Sequence, residues 1–172
     1  MIIPELDGTY PWWVWGAVDH IKAVLQPDWR VFEWGSGGST LWFAQRVADI
    51  VSMENNYDWA NKTAGELKQF GLMIATIIFE DDLWEYAEQI SYEMQPFFDL
   101  ISVDGRNRAE CIRHAIPKLK PGGYLVLDNS ERAEYQDAML LLDAWQRWDY
   151  VKTPEQPGSE AGWRTTVWRK PE

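Results

Sequence analysis

Apolar residues Val14, Ala17, Val18, Ile21 and Leu25 recur at three- and four-residue intervals, with Pro11 ahead and Pro27 behind. That spacing lines one side of a helix and carries start and stop signals. The next apolar run, RVFEW at 30–34, is too short for a helix and reads as a buried strand. A helix over 39–48 follows, capped by Ser39 or Thr40. Beyond it, short apolar runs at 49–54, 72–79, 98–104 and 123–128 alternate with helical spacing over 58–70, 81–90, 108–119 and 133–145. Gly71 ends one of those helices, and Pro117 distorts the last turn of another. The run LMIATIIF at 72–79 is continuously apolar and β-branched, as a parallel strand covered on both faces should be. Two strands, 150–155 and 164–170, then follow in succession around the loop QPGSEAG.

Strand and helix alternating five times require a parallel sheet between two helical layers. The closing strand pair adds an antiparallel hairpin at one edge. The expected fold class is therefore α/β: a three-layer, Rossmann-like, seven-stranded and mostly parallel sheet with a C-terminal antiparallel hairpin. The 172 residues suit one domain, with a helical segment at 1–29 ahead of a core at 30–172.

Composition narrows the setting. No apolar run is long enough to cross a bilayer, and the start MIIPELDG lacks the basic flank of an export signal. One cysteine, Cys111, allows no intrachain disulfide, so a cytoplasmic location is expected. A net charge of −11 repels phosphate backbones, so neither a nucleic-acid partner nor a membrane surface is expected. Twelve tryptophans either fill the core or form an aromatic substrate pocket, for which Trp12, Trp13 and Trp15 are the candidates. Exposed tryptophans there would also suit a homodimer contact.

The chemistry concentrates at VFEWGSGGST, 31–40, where the first strand stops at an acid and a glycine turn. In a sheet of this kind ligands bind beyond the carboxyl ends of the strands. Gly35 and Gly37 allow turns that a Cβ forbids and let a ligand approach the main chain. Amides at the start of the next helix can then bind polar groups. Glu33 disfavours a pyrophosphate but suits a cationic ligand. Glu54, ending the second strand nineteen positions after Gly35, stands where an acid accepts ribose hydroxyls. An adenosine ligand carrying a cation and no phosphate fits, and S-adenosylmethionine is such a ligand.

The same stretch resembles the first motif of class I S-adenosylmethionine-dependent methyltransferases, an acid followed by Gly-x-Gly-x-Gly. Glu33, Gly35 and Gly37 match, and Ser39 replaces the third glycine. VSMEN, 51–55, resembles the strand that follows, and LKPGGYLVLDN, 119–129, is shared too. The resemblance runs from about Pro11 to Lys170. It implies cofactor contacts from Glu33, Gly35, Ser36, Gly37, Ser39, Glu54, Asn55 and Asp104.

The fourth and fifth strands end at Asp104 and at Asp128-Asn129, facing the same cleft. Hard cations such as Mg²⁺ take oxygen ligands of this kind. The pattern is similar to metal-dependent O-methyltransferases acting on small hydroxylated substrates. That similarity implies Asp104, Asp128 and Asn129 as ligands of Mg²⁺ or another divalent cation, with Asp104 and Asp128 as catalytic residues. The chain departs from those enzymes at Gly105-Arg106-Asn107-Arg108, which sets two cations beside the ligand set, and it lacks their lid-building insertions. In the alternative reading Asp104 orients the cofactor's methionine end or the acceptor, while Asp128 and Asn129 cap a helix. Arg106, Arg108 and Arg132 either bind an anionic acceptor or are solvated loop cations.

The expected function is methyl transfer from S-adenosylmethionine to a small-molecule acceptor, on a hydroxyl oxygen. The Asp/Asn-Pro-Pro-aromatic motif of enzymes that methylate base amines is absent at 104–107. Two rivals stand beside this reading. One is a binding module that keeps the fold without turnover. The other is a nicotinamide-dependent oxidoreductase, which expects a glycine where Thr40 stands.

Overall fold

The computed structural model describes residues 9–93, 97–157 and 162–172. Helix α1 (Trp15–Val24) leads into strand β1 (Arg30–Trp34), and α2 (Gly38–Ala44), β2 (Asp49–Glu54), α3 (Tyr57–Gln69) and β3 (Ala75–Phe79) follow. Then come α4 (Leu83–Glu88), β4 (Phe98–Val103), α5 (Arg108–Lys118) and β5 (Leu119–Asp128). A one-turn helix, α6 (Gln136–Met139), precedes β6 (Gln146–Val151) and β7 (Arg164–Arg169).

The seven strands form one sheet in the order β3-β2-β1-β4-β5-β7-β6. The first five run parallel, and β7 runs antiparallel to both β5 and β6. This is the expected mostly parallel sheet with a C-terminal hairpin. From β1 the chain steps outward to β2 and β3, then crosses back to place β4 on the other side of β1. The strand order therefore reverses between β1 and β4, the point at which sheets of this kind bind ligands beyond the carboxyl ends.

Alternation along β1 assigns its residues to opposite layers. Phe32 and Trp34 join Tyr86, Ile112, Leu127 and Met139 on one face. Val31 joins Ile21, Trp42, Phe43, Leu100 and Val167 on the other. By the same alternation Glu33 belongs to the second face, and it is fully buried. Trp13, Trp34, Trp42 and Trp168 are buried core residues, whereas Trp12 and Trp15 are 79% and 51% exposed. Core filling thus accounts for Trp13, one of the three pocket candidates.

Several boundaries differ from the sequence expectation. The third strand begins at Ala75 and lies at the sheet edge, with Thr76 and Phe79 exposed rather than covered on both faces. Its β-branched run reflects strand propensity, but the outward stepping of β1, β2 and β3 leaves it one neighbour. The segment 133–145 is not one helix. It winds through 3-10 turns at Ala133–Tyr135 and Leu140–Leu142 on either side of α6. Strand β6 starts at Gln146, ahead of the expected 150, because the whole span Gln146–Val151 pairs with Arg169–Arg164. Strand β5 starts at Leu119 rather than 123, passing through Pro121-Gly122-Gly123 where the register with β4 shifts. Residues 158–161 of the expected QPGSEAG loop lie outside the described residues.

Candidate functional site

The site grows from β1. Its register sets Glu33 between Ser52 of β2 and Ser102 of β4. The Ser52 hydroxyl donates to Glu33 Oε1 at 2.6 Å, and the Thr40 hydroxyl donates to the same oxygen. Thr40 Oγ1 also accepts from the Gly37 amide at 2.9 Å. The acid is thereby tied to the glycine turn and to the first turn of α2. The N-cap is Gly37, with Thr40 bonding back to it, in place of the expected Ser39 or Thr40 cap. Burial pushes the Glu33 carboxyl up to about 7, although the hydroxyls of Ser52, Thr40 and Ser39 pull it down; the Ser39 hydroxyl faces the carboxyl without completing a hydrogen bond to Oε2.

Gly35 has φ +98°, and a Cβ there would lie 2.9 Å from the Asp104 carbonyl. Its missing side chain therefore lets the β1 and β4 ends approach each other. The Gly35 amide donates to Met53 O at 2.8 Å, and the Asp104 amide donates to Trp34 O at 2.9 Å. A Cβ on Gly37 would meet Trp59, whose indole N–H donates to Ser36 O at 2.6 Å. With the amides of residues 35–37 engaged, the amides near the turn that helix geometry leaves without an intrahelical partner are those of the first turn of α2, Gly38, Ser39 and Thr40.

Glu54 is buried and serves the same turn. Its Oε2 accepts from the Ser36 amide at 3.0 Å and the Ser36 hydroxyl at 3.1 Å. Its Oε1 accepts from the amides of Asn55 and Asn56, both at 2.9 Å. Each oxygen already has two donors, which fills its ordinary capacity.

On the far side of β1, Asp104 and Asp128 are joined through Arg108. The Arg108 Nη2 lies 3.0 Å from Asp104 Oδ1. Burial first, then the charge of Asp128, pushes the Asp104 carboxyl well above its ordinary range; Arg108 pulls it down and Glu33 pushes it up. Asp128 is raised to about 6 by burial, against the pull of Thr165, Arg108 and Trp163. Its Oδ1 accepts from Trp163 Nε1 at 2.9 Å and from the Thr165 hydroxyl at 2.5 Å. Asn129 adopts φ +50°.

A further wall comes from the chain ahead of α1. The Val14 amide donates to Thr165 Oγ1 at 2.9 Å, and the Trp15 amide donates to Gln156 Oε1 at 3.0 Å. Gln156 Nε2 donates in turn to Trp13 O at 3.0 Å. The Trp13 indole N–H faces the Asp104 carboxyl without completing a hydrogen bond to it.

Buried polar atoms without a partner are rare and call for an explanation. Among the described residues they are Glu33 Oε2, Ser102 Oγ, Tyr86 OH, Trp13 Nε1 and Trp42 Nε1. The first four gather at the carboxyl ends of β1 and β4. Glu33 and Ser102 are register neighbours, Trp13 faces Asp104, and Tyr86 OH lies where a Cβ on Gly105 would fall.

The sequence matches no protein-family profile and no curated protein. Solved structures do resemble the chain. An rRNA methylase from Streptococcus thermophilus is 17% identical with a TM-score of 0.67, over 90% of this chain and 93% of that one. SMU.1697c of Streptococcus mutans, solved in complex with SAH, is 15% identical with a TM-score of 0.66, over 88% and 94%. A SAM-dependent methyltransferase structure from Methanosarcina mazei is 17% identical with a TM-score of 0.63, over 88% and 97%. The fold is that of the class I methyltransferases.

In this methyltransferase fold the sequence candidates divide into two groups. Glu33, Gly35, Ser36, Gly37, Ser39, Glu54 and Asn55 gather around the turns after β1 and β2. Asp104, Asp128 and Asn129 stand at the ends of β4 and β5. The partners Ser52, Trp59, Trp163 and Thr165 lie outside these motifs and are brought to them by tertiary proximity, whereas Thr40 lies in the VFEWGSGGST stretch itself.

Asp104, Asp128 and Asn129 as arranged do not fit a divalent cation. Asp128 Oδ1 has two protein donors, and Asp104 Oδ1 faces a guanidinium. No group of three or more His, Cys, Asp or Glu residues suited to a metal occurs among the described residues. No helix is long and apolar enough to cross a membrane, among the described residues.

Proposed function

We propose that the protein transfers a methyl group from S-adenosylmethionine to a small acceptor, on a hydroxyl oxygen. The observation that carries this reading is Glu33 Oε2, a buried acid oxygen without a partner at the strand-order reversal of a methyltransferase fold. An unpaired buried acceptor of this kind suits the α-ammonium of a bound amino acid. The first-turn amides of α2, with Gly35, Ser36, Gly37 and Ser39, would hold the methionine end. Glu54 and Asn55 would hold the ribose, with Ser36 giving up its bonds to Glu54 in exchange.

An open cleft of about 330 Å³ follows the end of β4, lined among others by Gly105, Arg106, Arg108, Arg132, Glu134 and Tyr135, and we assign the acceptor to it. Its size suits a small molecule. There Asp104, kept ionised by the Arg108 guanidinium 3.0 Å from its Oδ1, takes the proton of the acceptor hydroxyl. The acceptor oxygen forms the new C–O bond, the sulfonium S–CH₃ bond breaks, and its electron pair stays on sulfur. Orientation supplies most of what the protein contributes to such a displacement.

Calorimetry with S-adenosylhomocysteine tests the reading. The folded protein should bind it and ignore NAD, and Glu54→Ala should weaken binding by about tenfold or more, as expected for lost bonds to a charged group. Absence of heat with either S-adenosylmethionine or its product would end this account. Methyl uptake by a panel of small phenols, alcohols, carboxylic acids and RNA then identifies the acceptor. Methylation of RNA alone would overturn the small-acceptor part.

A further inference from the structure

Arg108 has 8% of its surface exposed, although it carries a permanent charge. An unpaired charge buried so deeply would be strongly destabilising. Oxygen atoms surround it instead. Nε donates to Gly105 O at 2.9 Å, Nη1 to Asp128 O at 2.5 Å, and Nη2 to Asp104 O at 3.1 Å. Asp104 Oδ1 completes the set at 3.0 Å. Three carbonyls and one carboxylate oxygen, drawn from the ends of two adjacent strands, form the type of donor set that a hard cation takes. These are the same strand ends at which a divalent ion is implied by the resemblance to metal-dependent O-methyltransferases.

We propose that the Arg108 guanidinium is a built-in cation that takes the place of a divalent ion and positions Asp104 against the acceptor. The proposal rests on the methyl-transfer reading of the site. The guanidinium's planar fork reaches the ends of β4 and β5 at once, which a lysine ammonium on a flexible stem would do less rigidly. It cannot coordinate the acceptor oxygen as a Lewis acid, so the proton of the acceptor passes to Asp104 rather than being lost from a metal-bound hydroxyl. Arg108 is therefore a positioning residue, and the neighbouring sequence Gly105-Arg106-Asn107-Arg108 is the change that makes a metal unnecessary.

Electron paramagnetic resonance of Mn²⁺ titrated into the intact protein tests this. Wild type should leave the free Mn²⁺ signal unchanged apart from weak surface binding. Arg108→Met should gain one saturable Mn²⁺ site per chain, and Asp104→Asn in that background should abolish it. A stoichiometric Mn²⁺ site in wild type that Asp104→Asn removes would overturn the proposal, and this measurement needs no Arg108 variant to fold. A folded Arg108→Met protein that gains no site would overturn it as well. Binding of S-adenosylhomocysteine to wild type, measured separately, reports on the methyl-transfer reading, so the two can fail independently.

Discussion

Glu33 is one of three buried acids, with Asp104 and Asp128, that shape the pH behaviour of the ligand-free protein. Its carboxyl is raised to about 7 from an ordinary value of 4.5, so the folded state prefers the neutral form. The unfolded chain ionises first as pH rises. The resulting loss of stability is absent below the unfolded value, grows between about 4.5 and 7, and is complete above that, at roughly 3 kcal/mol. Glu33→Gln should therefore raise the melting temperature more at pH 8 than at pH 5 in thermal scans. The same variant should weaken S-adenosylhomocysteine binding, since an amide offers no charge to an ammonium. A ligand ammonium beside Glu33 lowers its pKa, so binding near pH 6.5 should release a proton. Calorimetry in buffers of different ionisation enthalpy would reveal that release, and identical heats in all buffers would count against the contact.

At the scale of elements, the turn after β1 depends on close backbone contact with the end of β4. Gly35→Ala places a Cβ in a strained conformation against the Asp104 carbonyl. It should cost about 1–3 kcal/mol in denaturant unfolding. It should also weaken S-adenosylhomocysteine binding, because Asp104 must move. This element was legible in the sequence, since an acid, two glycines and a following helix produce local effects. So were the parallel strands and helix α1, whose periodicity carries into burial at Ala17, Val18 and Ile21. What was not legible is non-local. Nothing in LMIATIIF distinguishes an edge strand from a central one, because that depends on where the crossovers carry the chain. Nothing near Leu140 and Leu141 announces a break, yet both are exposed there. The sequence leaves Arg108 as one of three cations that either bind an anionic acceptor or are solvated, because its bonds to two strand ends arise only in the folded chain.

For the whole molecule, the net charge of −11 makes compaction electrostatically unfavourable. Moderate salt should raise the melting temperature by screening this repulsion, in contrast to a protein held together by surface ion pairs. Differential scanning calorimetry at low and physiological ionic strength measures the sign directly. The hydrogen bonds of Gln156 and Thr165 span over 140 residues of sequence to reach the backbone at Trp13–Trp15. Gln156→Ala should loosen that segment, seen as faster amide exchange at Trp15, while leaving exchange in β1 unchanged.

Those bonds grip peptide groups and leave the outward side chains of residues 12 and 15 uncommitted. A wall fixed by its main chain tolerates new side chains without moving. Substitution at these two positions should thus reshape the surface there without loosening the strand ends beneath.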